Sequence, residues 1–225
     1  MQYIDAAMVG TLGANASASI GLVSSTTWLF GGLISATASG FYVQIAHAIG
    51  ANDSEKAKSI LKQGMIIALS ISIGIALLGS ALSYVLPTWL GGSSEIIQDA
   101  HYYFLIYSLF APFRMLFYFH NGALQATGNM KVPSILSSCM CILDVIFNAL
   151  LIFPSNTFLS LPGANLGVLG AALGTALSYV VVGIILAIYT DVHTEDLNIF
   201  HGGRLSEGNF SYPLKTQDIR DTLYC

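Results

Sequence analysis

The chain predicts an all-α fold, a polytopic bundle of membrane-spanning helices, and three observations predict it. Of its 225 residues 54% are hydrophobic and only 9% are charged, whereas an ordinary soluble domain carries about a quarter charged residues. The charges gather in short breaks between long apolar runs, and these runs reach the ~20 residues a helix needs to cross a hydrocarbon core of about 30 Å. Within the runs Gly, Ala and Ser are dense, as in "GGLISATASG" and "GVLGAALGTALS", which lets helix backbones approach closely.

The first segment, residues 1–12, is apolar apart from Asp5. At ~1.5 Å per residue it covers under roughly 20 Å, too little to span, and it reads as the outer end of a truncated helix. It does not read as a cleaved leader, because "MQYIDAAMVG" lacks a basic start and carries an acid instead. Full spans are expected at about 17–48, 60–86, 100–126, 132–153 and 166–189. Between them, "GANDSEKAK" contains a helix start at Asn52 to Glu55, and "LPTWLGGSSE", "ATGNMKVP" and "PSNTFLSLPGAN" supply Pro and Gly breaks. Residues 1–190 therefore read as one six-helix lobe. Residues 191–225 read as a cytoplasmic connector toward a missing second lobe.

Lys and Arg set the expected orientation, since positive loops stay on the cytoplasmic side. The breaks at 10–15, 87–94 and 154–165 contain neither residue. Lys56, Lys58 and Lys62 flank the second break, Lys131 the fourth, and Arg204, Lys215 and Arg220 lie in the tail. Alternate breaks are basic, as a six-helix topology requires. A formal net charge of −4 gives no basic patch for nucleic acid. Three cysteines, two of them Cys139 and Cys141 inside an apolar run, make neither a disulfide framework nor a metal spacing.

Ionisable groups at membrane depth are costly unless paired or hydrated, so each one is a functional candidate. Counted along their helices, Asp5 lies roughly 12 Å from the outer end, Arg114 roughly 21 Å from the inner end and Asp144 roughly 18 Å from the inner end. All fall near the middle of the core, as does Thr175. Asn148 lies one turn from Asp144 on the same helix face. Two acids facing each other in a low-dielectric pocket make a proton or sodium site, and carboxylate, amide oxygen and hydroxyl are hard donors suited to an alkali cation. Asp5, Asp144, Asn148 and Thr175 are thus the expected cation site, with Na+ or H+ as coupling ion and no other cofactor. Arg114, Gln44, Gln125 and Asn121 are the expected cavity or tuning residues.

Other readings stand beside these. Asp5 is a solvated end residue if the chain begins there, Arg114 and Asp144 could form a static ion pair, and Thr175 could bond back to its own helix. Gln44, Gln125 and Asn121 suit helix packing as well as a lumen. His47, His101 and His120 read as interfacial. In the tail, His193, Glu195, Asp196 and His201 read as a solvated loop without zinc spacing, Asn15 opens a weak "NAS" sequon, and "GVLGAALG" lacks the spacing and the preceding strand of a phosphate loop.

"DAAMVGTLGANASASIG", "QIAHAIGANDSEKAK", "GALQATGNMKVPS", "LDVIFNALLIF" and "LGVLGAALGTALSY" occur in an order and spacing that resembles the multidrug and toxic compound extrusion (MATE) transporters. The resemblance covers nearly everything from Met1 to Thr190 and implies the amino-terminal half of a twelve-helix exporter of two six-helix lobes. It implies alternating access in a multi-pass protein of the bacterial plasma membrane, with sodium or proton entry driving a drug or other small organic compound, often cationic, outward. Asp5 matches the family's acid on the first helix, the main cation-site residue of this lobe. On the fifth helix the family often carries Asn and then, four residues on, Asp; here the order is reversed, Asp144 then Asn148. Thr175 matches a sixth-helix threonine similar to a cation ligand in some members. The rival readings are a lipid-linked precursor flippase, a membrane-embedded enzyme, for which no motif is present, and a non-transporting assembly subunit.

Overall fold

The computed structural model describes residues 2–153 and 163–194. Their regular elements are all helices: α1 (Gln2–Gly10), α2 (Ala14–Gly50), α3 (Ser54–Leu82), α4 (Leu86–Trp89), α5 (Ile97–Leu109), α6 (Ala111–Ala126), α7 (Lys131–Ile152) and α8 (Val168–His193). Four of them, α2, α3, α7 and α8, are each long and apolar enough to cross a membrane. The expected residues 195–225 of the connector, with Glu195, Asp196, His201, Arg204, Lys215 and Arg220, lie outside the described residues, as does most of the 154–165 break.

Three expectations about the spans are corrected. The span expected as one helix at 100–126 is two, α5 and α6, which meet at Phe110 with φ −88° and ψ 10°. Pro112 sits in the first turn of α6, where its missing N–H and its ring, which would collide with the carbonyl four residues back, end one helix and favour the start of the next. The third span begins at Ser54 rather than near 60, because the Asp53 carboxylate accepts the Lys56 backbone N–H at 3.0 Å. That cap satisfies an end donor and extends the helix into polar sequence that an apolar window cannot see. At the other end α8 continues to His193, so residues 191–193 are helix rather than connector; the Tyr189 and His193 rings stack one turn apart, 4.7 Å between centroids.

Around these helices the packing is built on α2 and α6. α2 packs on α3, α5 and α6, α8 packs on α5, α6 and α7, and α1 lies against α2, α7 and α8. The main core joins Val23, Ile34 and Ile45 of α2 to Leu61 of α3, Phe104 of α5 and Phe119 of α6, all at most 1% exposed. Phe117, Leu124, Met140, Val182 and Leu186 form a second core among α6, α7 and α8. Large apolar side chains also cover the outside, with Leu29 69% and Leu77 68% exposed, as suits a surface that faces lipid rather than water.

The two ends of the bundle differ in charge. Asn15 Nδ2, after α1, donates to Glu95 Oε2 at 3.0 Å, before α5, and Leu12 lies 3.8 Å from the place a side chain at Gly167 would occupy. The Lys-free segments around residues 12, 95 and 167 therefore share one end. Lys56, Lys58 and Lys131 open α3 and α7 at the other, the alternation expected from the loop charges.

Candidate functional site

The site begins with a close approach of α7 and α8. A side chain on Gly174 would overlap the Asn148 amide and stand 3.0 Å from the Asn148 backbone nitrogen, so glycine is what admits the amide between the helices. Asn148 is fully buried, as is Asp144 one turn earlier. From that position Asn148 Nδ2 donates to Asp5 Oδ1 at 2.8 Å, joining α7 to α1. The Asp5 and Asp144 carboxyl groups are immediate neighbours, and the Thr175 hydroxyl borders Asp144. Thr175 Oγ1 itself donates to the Ala171 carbonyl at 3.1 Å, so its lone pairs remain free to accept. Both Asp144 carboxylate oxygens and Asn148 Oδ1 are buried without a hydrogen-bond donor.

Several acceptor oxygens thus converge where donors are scarce. Buried acceptors without donors cost free energy, and a proton or a small cation would satisfy them. Asp5, Asp144, Asn148 and Thr175, expected from the sequence at one depth, are brought together. Among the described residues no group of three His, Cys, Asp or Glu side chains has the arrangement of a metal centre.

Asp5 and Thr175 also line a cavity of about 490 Å³ bounded by α1, α2, α5, α6 and α8. Arg114 stands in its wall, 4% exposed. Its guanidinium carbon lies 3.6 Å from the Tyr107 ring centroid and 5.1 Å from that of Tyr179. Tyr107 is held in turn by its hydroxyl, which donates to the Thr27 carbonyl at 2.7 Å. The static Arg114–Asp144 ion pair is not formed; an ion pair that is present, Lys58–Glu55 at 3.6 Å, lies at the start of α3.

Gln44, Gln125 and Asn121, expected at the cavity, are placed elsewhere. Gln44 is exposed and its amide bonds back to the Gly40 carbonyl at 2.9 Å. Gln125 donates to Asn121 Oδ1, and Asn121 Nδ2 donates to Ser137 Oγ at 3.2 Å, a link between α6 and α7. Each finds its partner locally, so none needs a lumen. His101 does lie at an aromatic end, against Tyr84 and with Nδ1 2.9 Å from the Ser83 carbonyl. His120, by contrast, is 7% exposed and is buried rather than interfacial. Sequence reasoning missed the tyrosines that line the cavity, Tyr103, Tyr107, Tyr118 and Tyr179. Their signal was spacing: Tyr103 with Tyr107, Arg114 with Tyr118 and Thr175 with Tyr179 are each four apart, on one helix face.

Comparison with known proteins agrees with this architecture. The family model MatE matches residues 1–150. An FAD transporter of Shewanella oneidensis is 24% identical over 177 residues, covering 79% of this chain and 38% of its own length. The multidrug export protein MepA of Staphylococcus aureus is 28% identical over 145 residues, covering 64% of this chain and 30% of its own. A solved structure, the outward-facing conformation of a multidrug resistance MATE family transporter, superposes with a TM-score of 0.77 at 23% identity, over 90% of this chain and 44% of that one. The chain spans less than half the length of these relatives. With 150 of its 225 residues matched by the family model and its fold shared with a solved transporter, the chain belongs to the MatE family of membrane transporters.

Proposed function

We propose that the chain forms a six-helix lobe of a cation-coupled exporter, which uses Na+ or H+ entry to drive small organic compounds out across the bacterial plasma membrane. The observation that carries this reading is the part-buried contact of Asn148 Nδ2 with Asp5 Oδ1 at 2.8 Å, beside donor-free buried oxygens of Asp144 and Asn148. A cation or proton there removes the cost of clustered carboxylates, and its departure restores it. Because Asp5 ties the short α1 to α7, that change bears on how α1 packs against α7 and α8. A ligand that favours one packing shifts the population toward it, as alternating access requires.

The cavity supports a small-molecule substrate, since about 490 Å³ falls in the range of roughly 300–1,000 Å³ typical of sites for drug-sized ligands. The named relatives are an FAD transporter and a multidrug export protein, both of which move small molecules. A second lobe would close the other side of the cavity. A flippase for lipid-linked pyrophosphates calls for several cations in the wall, and among the described lining residues Arg114 stands alone against Asp5. A passive assembly subunit would have no need of clustered buried acids.

The test is ethidium efflux from liposomes containing the full-length protein, driven in turn by a sodium and a proton gradient. Asp5→Asn is expected to lower gradient-driven efflux at least tenfold, roughly 1.4 kcal/mol of coupling. Unchanged efflux with unchanged ion dependence would remove Asp5 from the mechanism.

A further inference from the structure

Arg114 poses a problem that the cation site does not solve. Its side chain is 96% buried by its 4% exposure, yet Nη1 has no hydrogen-bond acceptor and no carboxylate within 4 Å among the described residues. Its recorded partners are rings: Tyr107 at 3.6 Å and Tyr179 at 5.1 Å. A guanidinium bonds through its edge, where five N–H donors lie in one plane, and stacks through its faces. Both rings lie against the guanidinium, and Nη1 at its edge is left unmatched. Both rings are themselves braced, Tyr107 through its bond to the Thr27 carbonyl and Tyr179 by an edge-on contact with Phe117. The fork is therefore held in place at the wall of the cavity without an anion to receive it.

We propose that Arg114 with Tyr107 and Tyr179 is an anion subsite of the transport cavity, and that it recognises a carboxylate or phosphate carried on an aromatic ring system. The planar fork matches either anion in bidentate fashion, and the tyrosine-lined wall offers faces for the attached ring to stack on. A substrate held there would lie in the same cavity as Asp5, at the opposite polarity from the coupling cation. This inference rests on the exporter reading above and names a substrate class for it.

The experiment uses the full-length protein in liposomes and two dyes that share the xanthene ring, anionic 6-carboxyfluorescein and cationic rhodamine 123. Wild type is expected to export carboxyfluorescein under a sodium or proton gradient. Arg114→Gln should cut that export at least tenfold, a much larger fall than it causes in rhodamine 123 export, and Arg114→Lys, which keeps the charge but loses the fork, should fall between. Fluorescence polarisation of carboxyfluorescein on the purified protein in detergent gives a second readout, in which Arg114→Gln should weaken binding by a similar factor. The subsite is overturned if wild type neither binds nor exports carboxyfluorescein, or if Arg114→Gln lowers both dyes equally, which is the behaviour of a structural brace. Failure of the exporter reading looks different: neither dye nor ethidium then moves under any gradient, while dye binding still reports on the subsite by itself.

Discussion

Replacing Gly174 with alanine tests the closest helix contact at the site. The added methyl group would overlap Asn148 Oδ1 and lie 3.0 Å from the Asn148 backbone nitrogen and 3.1 Å from its Cγ. The amide could rotate away, but only by giving up its 2.8 Å bond to Asp5; otherwise α7 and α8 must separate. Overpacking a tight contact costs about 1–3 kcal/mol, and a lost hydrogen bond to a charged group about 1.5–3 kcal/mol. Since one displacement causes both, the sum is not additive and a loss of roughly 2–4 kcal/mol is expected. In a full-length protein more than twice this size the shift is about 1–2 °C per kcal/mol, which lowers the melting temperature by roughly 2–8 °C. Thermal unfolding of the full-length protein in detergent measures it. Gly74→Ala, where an added methyl meets nothing within 4 Å, is the control and should melt close to wild type. Adding Asn148→Ala to Gly174→Ala should recover part of the loss, because the clash partner is gone. If Gly174→Ala melts within about 1 °C of wild type and keeps its ion dependence, α7 and α8 do not meet as described.

Three further outcomes follow from single contacts. Tyr107→Phe removes the hydroxyl that holds the Thr27 carbonyl at 2.7 Å but keeps the ring under Arg114, so it should cost about 0.5–1.5 kcal/mol in the same melt and leave rhodamine 123 export intact. Asp53→Ala removes the cap of α3 and should cost about 0.5–2 kcal/mol, with no effect on ion coupling because it lies at the far end of the helix. The swap Asp144→Asn with Asn148→Asp replaces the donor facing Asp5 with an acceptor, so the melting temperature should fall when sodium is exchanged for choline, and fall further than in wild type; equal sodium dependence in the two proteins would refute the placement of Asn148 against Asp5.

The fold class was legible because lipid imposes one rule, long apolar helices between polar breaks, and the chain obeys it throughout α2, α3, α7 and α8. What hydropathy could not show were places where backbone chemistry overrides an apolar run. Pro112 divides a run that an apolar window reads as one span, and Asp53 starts a helix six residues before the apolar window does. At the site, depth counting brought Asp5, Asp144, Asn148 and Thr175 to one level, and they do meet. It failed for Gln44, Gln125 and Asn121, since an amide satisfied by its own helix or its neighbour gives the same sequence signal as one that lines a cavity. It was blind to the tyrosines, which are uncharged and cost little at any depth. The reversed order of Asp144 and Asn148 was visible, but its meaning was not: only the contact itself shows that the amide bonds to Asp5.

Opposite charges share this cavity without neutralising each other, and that separation is what makes the arrangement useful. Tyr103 is near enough to feel both Asp5 and Arg114, and it stands among the residues that line the space between them. Had Arg114 reached Asp5 or Asp144, a buried ion pair would have satisfied all three groups, and no mobile ion would gain much by entering. Stacked on Tyr107 and Tyr179 instead, the guanidinium keeps its charge in the cavity while the acids keep their oxygens open. On the proposed reading each set takes its own ligand, and because both border one space, filling one alters the field felt by the other. By linkage, that coupling must act equally in both directions: a cation at the acids changes the hold on an anion at Arg114 by the same factor that the anion changes the hold on the cation.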